Sequence, residues 1–183
     1  MLSVTQIISP WIDYSAVPPE VLEVAAERGT FIHRWCADHA MGKWRPYSRD
    51  YLIRGMQMSF ADWFSRTVQM PLLVEHEVRC PVYQYIGHVD LVCTWKGEDF
   101  ATLVELKTPS APHKAWCLQL AGYWQALESS HRILNIPIGR AGSLRLDRDG
   151  GPALWDEMQK DRKPEYVNLF LQALNLQRYF EEK

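Results

Sequence analysis

Two carboxylates and a lysine lie in a predicted β-hairpin, where they could act on one substrate. Asp90 belongs to its first strand, Glu105 and Lys107 belong to its second, and Lys96–Asp99 is the turn between them. If the turn is centred at its midpoint, antiparallel pairing places Asp90 directly opposite Glu105, at about 5 Å. Lys107 points to the same face as Glu105, because strand side chains alternate.

Opposed carboxylates repel each other, and a divalent cation bound by both would remove that repulsion. Oxygen ligands suit Mg²⁺ or Mn²⁺, and Lys107 would supply an ammonium nearby. The alternative is a solvated hairpin whose charges have no function, which is the usual state of Asp, Glu and Lys. Against it, Val104 and Leu106 flank Glu105, and a charge within an apolar strand is costly unless it is paired or metal-bound. The sequence therefore predicts one or two Mg²⁺ or Mn²⁺ ions here.

Polar residues on two predicted helices could reach the same site. His33 follows Gly29 by one turn on the first long helix, and it is either a satisfied packing histidine or an imidazole aimed at a metal. In the second case Gly29 would allow close approach of the next layer. Gln119 and Tyr123 are one turn apart on the helix after the hairpin, and they either reach the site or bond each other and the backbone.

Other charged residues leave alternatives open. Glu75 and Glu77 share one face of the strand predicted at Pro71–Val78, and either could add a carboxylate, or both could lie exposed on an edge strand. Three arginines could border a phosphate track or form a solvated face: Arg45, Arg49 and Arg54.

The composition predicts a single folded domain over residues 1–183. An apolar fraction of 47% and eight tryptophans indicate a sizeable core, and a net charge of −2 excludes a global basic field of the kind that coats nucleic acid. The four scattered cysteines fit neither a zinc ribbon nor a disulfide framework, so we expect reduced, mostly buried thiols. The absence of a signal peptide and of a bilayer-length apolar run predicts a cytosolic protein with no membrane partner.

The order of the predicted elements indicates an α/β (α+β) fold with a central mixed sheet flanked by helices. Residues 1–19 are expected to be irregular. The elements expected after them are a helix from Glu20, a loop over Met41–Tyr47, a helix capped by Ser48 and reaching Thr67, a strand over Pro71–Val78, the central hairpin, a helix from Pro112 to Glu128, a second hairpin built from Ile133–Ile136 and Ser143–Leu146 with a turn at Asp147–Gly151, and a helix from Pro164 to the C-terminus.

These residues together resemble the PD-(D/E)xK nuclease superfamily, in particular its RecB-like and phage-exonuclease branch. The resemblance covers about residues 25–125 and departs from the nominal Pro-Asp dipeptide, since Val89 precedes Asp90. It rests on four short motifs in the expected order: Gly29-x-x-x-His33, Gly87-x-x-Asp90, Glu105-x-Lys107 and Gln119-x-x-x-Tyr123.

The resemblance implies a restriction-endonuclease-like core and a role for each motif residue. The implied metal ligands are the side chains of His33, Asp90 and Glu105 and the main-chain carbonyl of Leu106. Lys107 would orient and help deprotonate the attacking water, while Gln119 and Tyr123 would support the site or contact DNA. The cysteines that flank the core in iron–sulfur relatives are missing, so no iron–sulfur cluster is expected.

The implied function is a metal-dependent deoxyribonuclease, most simply an exonuclease on linear duplex DNA in phage-type recombination or DNA repair, in the bacterial or phage-infected cytosol. An alkaline pH optimum is expected, because both the water and Lys107 react after losing a proton. A catalytically silent DNA-binding or assembly subunit and an unrelated α/β protein are the alternatives. The sequence leaves open exonuclease or endonuclease action, DNA or RNA, a homo-oligomer, and a recombination partner protein.

Overall fold

A five-stranded sheet with helices on both faces forms the centre of the protein. The computed structural model describes residues 1–108, 111–130 and 133–181. The elements in chain order are α1 (Val4–Ile8), α2 (Pro19–Ala40), α3 (Tyr51–Thr67), β1 (Val68–Cys80), β2 (Tyr85–Trp95), β3 (Ala101–Lys107), α4 (Ala115–Ser129), β4 (Ile138–Arg145), β5 (Leu154–Glu157) and α5 (Lys163–Glu181).

The strands lie in the order β1-β2-β3-β4-β5, and every neighbouring pair is antiparallel except β3 and β4. The parallel pair is joined through α4, as parallel strands require a crossover connection. The chain is thus a single-domain α+β protein with a mixed sheet, which confirms the predicted fold class.

Two apolar clusters cover the two faces of the sheet. Residues of α2 and α3, such as Ile32 and Phe60, pack on one face, while residues of α1, α4 and α5, such as Trp124 and Phe170, pack on the other. The sheet is therefore the middle of three layers, and charged groups on β2 and β3 lie between helices rather than in open water. Among the described residues, no helix is long and apolar enough to cross a membrane.

The β2–β3 hairpin has the predicted alignment. Leu91 pairs with Val104, and the next pairs towards the turn keep the same register. One further step would set Asp90 opposite Glu105, but the ladder stops before it. Instead, the Leu106 N–H donates to the Asp90 Oδ2 at 2.7 Å. The Asp90 side chain thus takes the place of a backbone hydrogen-bond acceptor for β3. This bond fixes the Asp90 carboxylate beside that strand.

The start of the chain differs from the sequence expectation. Residues 1–19 are not uniformly irregular, because α1 forms within them and buries Val4, Ile7 and Ile8. A capping box explains this helix: the Ser3 side chain accepts from the Gln6 N–H, and the Gln6 side chain accepts from the Ser3 N–H. The cap of α3 is Asp50 rather than Ser48, since the Asp50 carboxylate accepts from the Ile53 N–H.

The second hairpin was also assigned wrongly. Its strands are β4 and β5, joined through the predicted turn, whereas Ile133–Ile136 precede β4 without forming a strand. Their side chains still pack on the apolar cluster below α4, which explains the misleading pattern. Three short predicted stretches lie outside the described residues: 109–110 in the loop before α4, 131–132 at the start of the expected hairpin, and 182–183 at the C-terminus.

Candidate metal centre

Three carboxylates stand in a row across three neighbouring strands. The β1–β2 pairs on either side, Val74 with Leu91 and His76 with Val89, bring Glu75 across from Asp90. Glu105 lies near Asp90 on the other side, close enough for the Asp90 charge to act on it, although the β2–β3 ladder stops one step short of pairing them. Glu75 has a φ of 45°, in the left-handed region that non-glycine residues seldom adopt. Such local distortion is common where a strand must re-aim a side chain at a site.

His33 completes the open side of this row. The side chains of His33, Glu75 and Asp90 each place a ligand atom within 4.8 Å of the others. Glu77, the other candidate on β1, instead accepts hydrogen bonds from the Arg79 side chain at 2.8 Å. The geometry therefore favours Glu75 over Glu77 as the additional carboxylate, a choice that the sequence left open.

The first contact within this group is an ion pair between helix and strand. The His33 Nδ1 lies 3.0 Å from the Asp90 Oδ1. Burial alone lowers the pKa of His33, but the Asp90 charge and hydrogen bond outweigh it and raise the pKa to about 9. Burial likewise raises the pKa of Asp90, yet His33 and the Leu106 N–H hold it below its usual value. His33 is thus an imidazolium near neutral pH and must lose its proton to bind a metal.

Glu105 lies in a closed hydrogen-bonded ring with two of its predicted partners. The Glu105 Oε1 accepts from the Lys107 Nζ at 3.1 Å and from the Gln119 Nε2 at 2.7 Å. The ring closes because the Lys107 Nζ also donates to the Gln119 Oε1 at 2.8 Å. Lys107 is further held over the Trp116 ring, 5.3 Å from its centroid. Three motif residues from β3 and α4 are therefore brought together as predicted.

The second oxygen of Glu105 has no such partner. The Oε2 is buried and makes no hydrogen bond with any residue that the structure describes. Burial and the nearby Asp90 charge raise the pKa of Glu105 to about 7, against the smaller opposing effects of Lys107 and His33. A buried carboxylate oxygen without a donor is unfavourable, and a bound cation would satisfy it.

Tyr123 lies behind this ring and is fixed by the Gly87 motif. The Gln119 Nε2 donates to the Tyr123 hydroxyl at 3.1 Å, so the two alternatives for these residues are both partly met: they bond each other and also adjoin the site. A Cβ at Gly87 would lie 2.6 Å from the Tyr123 Cε1, closer than real contacts allow. Gly87 is thus required for Tyr123 to reach Gln119.

Gly29 does not have the role expected from its motif. A Cβ there would meet only the Thr108 Oγ1, at 4.0 Å, which is ordinary contact distance. Close approach of the next layer therefore does not require this glycine. Its position matters in another way, because Gly29 lines an open cleft of about 480 Å³ that also borders His33 and Glu75.

The donor set fits a hard divalent cation. Among the described residues, the closely spaced group offers the carboxylates of Glu75 and Asp90 and the imidazole of His33, and Glu105 lies near Asp90 but outside this group. Oxygen ligands with one imidazole and no thiolate suit Mg²⁺ or Mn²⁺ rather than a soft metal. Once all three carboxylates have lost their protons they outnumber the two cations His33 and Lys107, so the ionised group lacks positive charge. The ligand role of the Leu106 carbonyl stays a prediction.

No model of a known protein family matches the sequence, and no curated protein is significantly similar to it.

Proposed function

We propose that the protein is a Mg²⁺- or Mn²⁺-dependent deoxyribonuclease that hydrolyses phosphodiester bonds, acting as an exonuclease on linear duplex DNA. The proposal rests on one observation above all: a row of three carboxylates ends at Glu105, whose buried Oε2 has no hydrogen-bond partner in the described part of the chain, with Lys107 beside it. The resemblance of the four sequence motifs to PD-(D/E)xK nucleases supports the same proposal.

The ligands of the cation would be Glu75, Asp90 and Glu105, with His33 joining them after losing its proton. When bound, the cation would lower the pKa of a water molecule and offset the charge that develops on the phosphoryl oxygens. Asp90 is already oriented by the Leu106 N–H, and Glu105 by Gln119, so little rearrangement is needed to present their oxygens.

Lys107 acts directly on the reacting groups in this proposal. Its side chain is only 14% exposed, and its ammonium is fixed by Glu105, Gln119 and the face of Trp116. A fixed positive charge in a poorly hydrated site stabilises the anionic transition state more strongly than a mobile one in water. The same ammonium can orient the attacking water by hydrogen bonding.

The cellular setting belongs to the same proposal. A deoxyribonuclease with reduced thiols would act in the cytosol, and Cys36, Cys80 and Cys93 are free and buried. A homo-oligomer and a recombination partner protein are compatible with this role, and neither is required by it.

The experiment that tests the proposal is degradation of linear 5′-phosphorylated duplex DNA with Mg²⁺, with Mn²⁺ or with EDTA, beside closed circular DNA. Glu105→Ala and Lys107→Ala are assayed together with Glu77→Ala, a matched change on β1 outside the ring. We expect metal-dependent loss of linear DNA that is abolished in the first two variants and kept in the third.

Two other outcomes would change the proposal. Cleavage of closed circles at a similar rate would make the protein an endonuclease. If wild type and variants are equally inactive but still bind DNA, the silent DNA-binding subunit replaces the enzyme.

A further inference from the structure

The loop that follows α2 presents an unusually exposed aromatic side chain. Trp44 is 86% exposed, the highest value among the large apolar side chains of the described residues. It stands between two basic residues, Lys43 and Arg45, and close to Tyr47, which is 49% exposed. Basic residues next to exposed aromatic rings are typical of surfaces that bind single-stranded nucleic acid.

The backbone beneath Trp44 is held firmly. The Arg45 and Lys43 side chains both form ion pairs with Asp38 of α2, and the Lys43 N–H donates to the Asp38 carbonyl at 2.8 Å. The Trp35 Nε1 donates to the Pro46 carbonyl at 3.2 Å. The loop is therefore a fixed platform rather than a loose connection.

The aromatic rings in and beside this loop differ in their packing contacts. Tyr47 packs against Trp35, with 5.3 Å between ring centroids, and Trp35 stacks on His39 at 5.1 Å. Trp44 makes no ring contact with any residue in the described part of the chain. These side chains surround a cavity of about 430 Å³. One free aromatic face thus stands at the rim of an aromatic cavity, where a planar ligand could be held.

The platform is continuous with the proposed metal centre. The cleft beside His33 and Glu75 runs along α2 and ends at Asp38 and Met41, where the loop begins. At 1.5 Å per residue, His33 and Met41 are about 12 Å apart along the helix. This distance corresponds to about three or four stacked nucleotides at 3.4 Å each.

Charge along the cleft suits a phosphate backbone near the loop. Asp38, its acidic residue at that end, is already paired with Arg45. Arg34 lines the cleft, is exposed and makes no ion pair with a residue that the structure describes, and the Lys43 side chain is 63% exposed. Arg34 is therefore placed to contact a phosphate in the cleft, and the exposed Lys43 side chain, although paired with Asp38, adds positive charge beside Trp44.

We propose that Trp44 stacks on an unpaired base of the nucleic-acid strand whose phosphate lies at the carboxylate row. The protein would therefore bind single-stranded nucleic acid or an unpaired end of a duplex. This inference rests on the proposed function for the orientation of the strand. Stacking needs an exposed base face, which a base inside a duplex does not offer. Every base has such a face, so the platform selects unpaired strands without selecting a sequence.

Binding is measured separately from cleavage. A short fluorescein-labelled single strand and a blunt hairpin duplex of equal charge are titrated with protein in EDTA, and again with Mg²⁺ in the Lys107→Ala background, which keeps the proposed metal ligands. We expect the single strand to bind more tightly than the duplex. Trp44→Ala should weaken single-strand binding about 5- to 100-fold, the range found for loss of one base–aromatic stack, with little effect on the duplex.

Two matched variants control the measurement. Trp44→Phe keeps an aromatic ring and should retain single-strand affinity within about threefold. Binding of the single strand should quench the tryptophan fluorescence of this variant less than that of wild type, because Trp44 no longer contributes to the signal. Trp11→Ala removes a tryptophan that is 52% exposed and lines a different cavity, and it should leave binding unchanged.

The outcomes separate this inference from the proposed nuclease. If Trp44→Ala binds the single strand as tightly as wild type, or if the duplex binds better, the stacking platform is wrong even where cleavage is observed. If no variant or metal gives cleavage but Trp44→Ala still loses single-strand binding, the nuclease fails and the platform stands.

Discussion

The two halves of the carboxylate row differ in how far the surrounding protein encloses them. On the β3 side, Glu105, Lys107 and Gln119 form a closed ring that is held by the sheet and α4. On the β1 side, Glu75 and His33 border an open cleft. The first half is already arranged without a ligand, whereas the second half faces the solvent from which a cation and a substrate would arrive.

The comparison indicates a division of work within one site. The closed half fixes the group that acts on the substrate, Lys107, because a positive charge is most effective when it need not move. The open half leaves the ligand atoms of His33 and Glu75 accessible from the cleft. A hydrated cation can reach them there, and a nucleic-acid strand can pass along the same cleft. Asp90 belongs to both halves, through His33 on one side and the Leu106 N–H on the other.

The largest expected effect comes from Glu105→Gln in the closed half. The change removes a ligand charge but keeps the shape, so we expect cleavage to fall by more than the roughly 10- to 100-fold that loss of an outer partner costs. The rise in melting temperature on adding Mg²⁺ should disappear, since a ligand of the native state stabilises it. A variant that keeps most of its cleavage activity would show that Glu105 is not a ligand.

The pH dependence of stability should separate metal-free from metal-bound protein. The pKa of Glu105 is raised from 4.5 to about 7, and that of His33 from 6.5 to about 9. A raised pKa gives stability that is complete below the unfolded value and is lost as pH rises through the folded value. We therefore expect the metal-free protein to melt on the order of 5 °C lower at about pH 8.5 than at about pH 5.5.

Mg²⁺ should act in the opposite direction, because it binds only after these groups have lost their protons. The melting temperature gained on adding Mg²⁺ should grow with pH, as measured by calorimetry at both pH values with and without the ion. Glu77→Gln is the control and should follow wild type. A Mg²⁺ effect that is equal at both pH values would contradict the raised pKa of Glu105.

The two motif glycines should respond oppositely to alanine. Gly87→Ala forces a methyl group to within 2.6 Å of the Tyr123 ring, so we expect a loss of about 1–3 kcal/mol in the free energy of unfolding. Gly29→Ala meets no close atom and lies within α2, where alanine is the better helix former by about 1 kcal/mol. Urea denaturation of both variants measures the difference. Equal destabilisation would mean that Gly29 also serves packing.

Much of the site could be predicted from sequence because its residues lie on regular elements. Alternation within β3 sets Glu105 and Lys107 on one face, and helical periodicity sets Gln119 and Tyr123 one turn apart. The hairpin register followed from the position of one turn around Gly97, whose φ is 81°. Local rules were sufficient wherever the partners were close in sequence.

The remaining features depend on contacts between distant segments. Nothing local distinguishes Glu75 from Glu77, because the choice follows from which residue of β2 each one faces and from the left-handed φ of Glu75. The role of Gly87 depends on Tyr123, which is distant in the chain. By contrast, the capping box at Ser3 and Gln6 was a local signal for α1 that could have been recognised.

The smallest effect tests the open half alone. Burial and the Asp90 charge raise the pKa of Glu75, as expected for a carboxylate that awaits a cation. Glu75→Gln should therefore weaken Mg²⁺ or Mn²⁺ binding about tenfold, close to 1.4 kcal/mol, while Glu105 and Lys107 keep their arrangement. Isothermal titration with Mn²⁺ measures the change, and Glu77→Gln should match wild type, because Glu77 is paired with Arg79. If Glu75→Gln binds the metal as tightly as wild type does, the row of ligands ends at Asp90, and the open half serves the substrate rather than the cation.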